Sequence, residues 1–124
     1  MSEKVSQDWI IKSVRHAGPC YDTETGAPRA ADCFKVELGL AGESFFADVE
    51  FTILAGQEID FQMGAAGKSL PERNRLAYGA VEEFVRLNLR NGWDPRKCGR
   101  LVFNGDAVRP VAARLKKTSN HLQS

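Results

Sequence analysis

The chain is 124 residues long, 43% hydrophobic and 27% charged, with a formal net charge of +1, which is one domain's worth of chain with enough apolar side chains to bury a core. That profile excludes disordered and collagen-like classes, and no apolar run approaches the roughly 20 residues that span a bilayer. Because Met1–Asp8 carries no apolar signal core, the expectation is a soluble cytoplasmic protein, a single domain over residues 1–124 with frayed tails at 1–7 and 117–124.

In chain order, Trp9–His16 has the Ile, Val and Trp content of a strand, although its alternation is imperfect. Residues 17–33, with Gly18, Pro19, Gly26 and Pro28, read as a long loop of the sort that often carries function. Residues 34–63 then alternate apolar and polar in three runs: Phe34, Val36, Leu38 and Leu40, next Phe45, Ala47, Val49, Phe51 and Ile53, and last Ile59, Phe61 and Met63. Period two predicts antiparallel strands with one buried face. A two-residue Gly42-Glu43 turn would pair Leu40 with Phe45, Leu38 with Ala47 and Val36 with Val49. A three-residue Ala55-Gly56-Gln57 loop would pair Ile53 with Ile59, Phe51 with Phe61 and Val49 with Met63.

Ser69-Leu70-Pro71-Glu72 is a capping-box signature, so a helix is predicted from there to Arg90, stopped by Asn91-Gly92. Leu76, Ala77, Ala80, Val81, Phe84 and Leu87 form its apolar stripe. Asn104-Gly105, between apolar runs in Arg100–Arg109, predicts a further hairpin, with Asp106 as the cap of a short C-terminal helix as the competing reading. The expected architecture is α+β: an antiparallel sheet, a meander of about four strands plus a C-terminal strand or hairpin, with one main helix packed on one face.

Candidate chemistry is sparse. Cys20, Cys33 and Cys98 form an odd set without a Cys-x-x-Cys pair, which implies reduced thiols rather than a disulfide scaffold. With His16 they match no compact zinc spacing, and His121 lies in the expected tail. A Cys20–His16 nucleophile and base would need a positioned third group. Gly64-Ala65-Ala66-Gly67-Lys68-Ser69 leads into a helix start but places two residues between its glycines where a phosphate loop has four. No cofactor or metal is indicated.

Charge is more informative. Residues 1–83 hold 8 Lys/Arg against 14 Asp/Glu, a balance of −6, and residues 84–124 hold 9 against 2, a balance of +7. Such halves either attract each other or present a basic surface to an acidic partner. The predicted register sets Glu37 opposite Asp48 and Lys35 opposite Glu50, with Glu58 and Asp60 extending an acidic face. Arg86, Arg90, Arg96, Lys97 and Arg100 surround Trp93, a combination suited to a protein interface or to phosphate contact with base stacking. Phe46 on the polar face is an aromatic that a partner or a second copy would cover.

With no triad, metal motif or nucleotide fingerprint, the sequence reads as a small non-catalytic module that binds a protein, as an inhibitor, immunity protein or adaptor does, or self-associates. The alternative is a nucleic-acid-binding accessory protein using the basic half. A small enzyme using Cys20 or the carboxylates is the third reading.

Overall fold

A computed structural model of the chain describes residues 8–21, 24–30 and 32–123. The tail expected at 1–7 lies outside them. At the centre is a hairpin of β4 (Asp32–Leu40) and β5 (Glu43–Phe51). Both carry the predicted alternation, so Phe34, Val36, Leu38, Ala47, Val49 and Phe51 are buried on one face. The turn is Ala41-Gly42, with φ of 54° and 84°, positive at both central residues, as the turn that matches strand twist requires. It corrects the predicted Gly42-Glu43 turn. Leu38 pairs with Phe45, Val36 with Ala47 and Phe34 with Val49, two residues from the expected register. Burial could not detect that shift, because a slip of two leaves every side chain on the same face.

β1 (Ile10–His16) pairs antiparallel with β4, and its register shifts between Ile11 and Ser13. An extra residue at Lys12 explains the imperfect alternation: Ile11 and Val14 can share the inner face although they are three apart. The expected loop at 17–33 contains a two-stranded ribbon, β2 (Cys20–Tyr21) with β3 (Pro28–Ala30). On the other side of β5 lies β6 (Arg100–Phe103), parallel to it, giving the order β1-β4-β5-β6. The predicted Asn104-Gly105 hairpin is not formed. A single 3-10 turn at Gly105–Ala107 leads into α3 (Val108–Gln123) instead, so a C-terminal helix forms but is longer than the competing reading allowed. Its backbone reaches Gln123, within the stretch 117–124 expected as a tail.

The third predicted strand is also corrected, since residues 53–62 form α1 (Ile53–Gln62). Thr52 caps it, its Oγ1 accepting from the Ala55 N–H at 3.1 Å. A strand at 58–63 could not pair with β5 as expected, because β4 and β6 occupy both of its sides. The helix buries Ala55 and Ile59, one turn apart, and leaves Phe61 in solvent.

α2 (Leu70–Arg90) follows the prediction: Ser69 and Glu72 form the capping box, Pro71 sits in the first turn and Asn91 ends the helix. Its buried residues Ala80, Val81, Phe84 and Val85 join Ile59, Val108 and Val111 against the inner face of the sheet. Phe84 stacks on Phe103 at 4.3 Å, and Phe103, Phe51, Phe34 and Tyr78 continue edge to face. The protein is therefore an α+β unit with three helices, rather than one main helix, on one side of a mixed sheet. No helix is long and apolar enough to cross a membrane among the described residues.

Candidate functional site

The basic residues around Trp93 do not gather into one free surface. Arg86 pairs with Glu82 one turn back and lies 3.8 Å from Glu83. Arg96 forks onto Asp94, with Nε to Oδ1 at 2.9 Å and Nη2 to Oδ2 at 2.8 Å. These bonds hold the Asp94 carboxyl down at about 2, below its ordinary 3.8. The Arg96 guanidinium also sits 5.7 Å from the Trp9 ring centroid. Arg100 pairs with buried Glu50 at 3.1 Å. Trp93 is half-buried against the core and donates its indole N–H to the Cys98 carbonyl at 2.9 Å. Arg90 and Lys97 are exposed, without an ion pair among the described residues.

The four acidic candidates also separate. Glu37 faces Phe46, not Asp48, and has Lys12 at 3.7 Å. Asp48 faces Lys35 and pairs with it at 3.1 Å. The predicted like-charge pair is thus replaced by a favourable one, as the shifted register dictates. Glu58 and Asp60 lie on α1, off the sheet, where Glu58 accepts from Gln62 and Asp60 pairs with Arg73 of α2.

Among the described residues, no three His, Cys, Asp or Glu side chains converge as metal ligands. His16 Nε2 lies 2.6 Å from Asp32 Oδ1, while the side chain of Cys20, needed for the nucleophile reading, is outside the described set. The Gly64–Ser69 loop spends its capping capacity internally: the Ser69 N–H and hydroxyl bind Glu72 and hold that carboxyl below its usual range.

What the structure does bring together is apolar and lies on the helices. A groove of about 380 Å³ runs between α1 and α2. Ile53, Gly56, Gln57 and Asp60 form one wall and Leu70, Arg73, Asn74 and Ala77 the other. Each set has the spacing of a single helix face. The Asp60–Arg73 ion pair joins the walls, and Phe51 and Ile59 line the interior. Along its lips and over the outer side of α1, Ile53, Leu54, Phe61 and Leu70 are 63, 68, 78 and 68% exposed.

Single exposed apolar residues are ordinary, but three large ones on the 10-residue α1 and a fourth on the first turn of α2 are a local concentration. Phe46, Ile10 and Val102 on the open sheet face are 56, 60 and 42% exposed, interspersed with the ion pairs of Lys12, Lys35 and Arg100. α1 is hidden as a surface in the sequence because period two places Phe61 inward on a strand. Thr52 as a cap, with Ala55 and Ile59 four apart, was the signal available.

Compared with known proteins, the chain matches no protein family, no curated protein and no solved structure.

Proposed function

We propose that this chain is a non-catalytic protein-binding module, of the inhibitor, immunity or adaptor kind, and that α1 with the first turn of α2 is its contact surface. The observation that carries this reading is the set Ile53, Leu54, Phe61 and Leu70, each more than 60% exposed. Large apolar side chains left in water on a rigid element cost stability and give it back when a partner covers them. The groove beside them offers polar groups at Gln57, Asn74 and the Asp60–Arg73 pair, which supply orientation around an apolar centre. A protein partner is favoured over nucleic acid because Arg86, Arg96 and Arg100 are already paired with carboxylates, which reduces the charge available for phosphate contact. The free thiols of Cys33 and Cys98 suit a cytoplasmic setting.

Site-specific photocrosslinking in cells tests this directly. A photoreactive residue at position 61 should yield a discrete crosslinked polypeptide, and one at position 90 should not. Crosslinks from position 90 to nucleic acid, with none to protein from position 61, would contradict the reading and favour the basic half.

A further inference from the structure

We propose that the outer sides of α2 and α3 together form a second contact surface, which takes the phosphate backbone of duplex DNA without reading its sequence.

The two helices lie side by side. Leu115 packs against Gly79, and Glu83 is reached from α2 by Arg86 at 3.8 Å and from α3 by Arg114 at 3.2 Å. Arg75, Gly79, Glu82, Arg86 and Arg90 recur every three or four residues and so share one stripe of α2, with Val81 and Phe84 buried on the opposite side. On α3, Val108, Val111 and Ala112 enter the core, which leaves Arg109, Arg114, Lys116 and Lys117 outside, all exposed. α3 carries no acidic residue.

The charge on this face is therefore one-sided. Seven cations meet three carboxylates, and each carboxylate is already engaged: Glu72 by the Ser69 cap, Glu82 by Arg86 and Glu83 by Arg114. Arg75, Arg90, Arg109, Lys116 and Lys117 have no ion pair among the described residues. The pairing that occupies Arg86, Arg96 and Arg100 does not reach them. Neighbouring cations without partners repel one another, and a polyanion relieves that repulsion while shedding its own condensed counterions.

The uncharged residues of the face select among polyanions. Pro110 and Ala113 are exposed and Gly79 is half-buried, all of them small. Among the described residues, neither stripe offers an aromatic for stacking an unpaired base, as single-strand binding requires. Neither offers a large apolar side chain to anchor a protein or enter a lipid surface. Small residues let a charged backbone approach closely, and five of the seven cations are arginines, whose planar fork matches phosphate oxygens. Duplex DNA displays its phosphates outward and is held through them by charge alone.

Anisotropy of a fluorescein-labelled duplex of about 20 base pairs, titrated with the full chain between about 50 and 200 mM salt, tests the proposal. Contact with about four phosphates predicts a slope of about −3.6 in log K against log salt, a weakening of roughly 150-fold over that range. Arg75→Gln/Lys117→Gln should make the slope shallower by about 2. Lys12→Gln/Lys35→Gln removes the same charge from the open sheet face and should leave it unchanged. Arg75 and Lys117 are exposed, and an unchanged circular dichroism melt would verify that their replacement spares the fold.

Absence of binding at the lowest salt, a slope indifferent to Arg75→Gln/Lys117→Gln, or an equal loss in both double variants would overturn the proposal. So would adsorption to phosphatidylcholine vesicles carrying about 30% phosphatidylserine by a protein that ignores the duplex. The α1 surface contributes no residue to this one, so these outcomes leave the protein-binding reading to its own test at position 61.

Discussion

At the scale of single residues, the segment joining α2 to β6 depends on Asp94. It accepts from the Arg96 backbone N–H at 2.9 Å and from the Arg96 guanidinium, while its own carbonyl accepts from Lys97 and Cys98. The carboxyl's folded pKa of about 2 lies below the ordinary 3.8, so between those values the unfolded chain binds more protons than the folded one. Stability from this contact is therefore complete above about pH 4 and disappears as pH falls through about 2. Urea unfolding midpoints from pH 5 to pH 2 should fall more steeply for the wild type than for Asp94→Asn. Parallel curves would show that the Asp94–Arg96 contact contributes nothing. None of this was legible beforehand, since Asp94 two residues before Arg96 is only an adjacency until the chain turns there. Ala41 is similar: a non-glycine residue at φ 54° carries a cost of roughly 1–2 kcal/mol, and only the structure reveals that the turn begins there rather than at Gly42.

The scale of elements is where the sequence was most and least informative. α2 was legible at both ends because capping is local: Ser69, Pro71 and Glu72 start it, and Gly92, at φ 99°, supplies the left-handed residue that follows its end. α1 and the pairing of β6, which joins β5 in parallel instead of forming a hairpin, depart from the expectation because their fate depends on what lies beside β5. Ile59, Phe61 and Met63 alternate as a strand would, yet β5 has no free edge for them, and competition for that edge is nonlocal.

Thr52 is the switch between the two structures. Its backbone N–H and its hydroxyl both donate to the Phe103 carbonyl, at 3.2 and 3.1 Å, and its Oγ1 accepts from Ala55. It thereby ends β5, ties it to β6 and starts α1. Thr52→Val keeps the shape and removes the hydroxyl, so it should destabilise the protein by about 1–2 kcal/mol in urea unfolding. A loss within about 0.5 kcal/mol, the range of an inconsequential surface change, would contradict this role.

For the whole molecule, the division of charge between acidic and basic halves resolves in part into internal pairing. Arg100 meets Glu50, Arg114 Nε lies 3.2 Å from Glu83, and Arg86 meets Glu82, each joining the basic stretch to the acidic one. Glu83, nearly buried between two arginines, links α2 to α3. The sequence showed that the halves were complementary but could not show whether they met, because ion pairing across 30 or more residues is a property of topology. The apolar surface was hidden for a related reason. Hydrophobic side chains are assigned to the core by default, and Phe61, Leu54, Ile53 and Leu70 become a surface only once the sheet and α2 have filled the core without them.

That surplus is the centre of the account, and side-chain footprinting tests it most directly. Hydroxyl-radical labelling of the purified protein, with no partner present, should modify Phe61 heavily. In intact cells, Phe61 and Leu70 should be protected while Phe46 is labelled as before. Equal labelling of Phe61 in both settings, or protection that falls on Phe46 instead, would contradict the assignment of α1 as the surface through which this protein works.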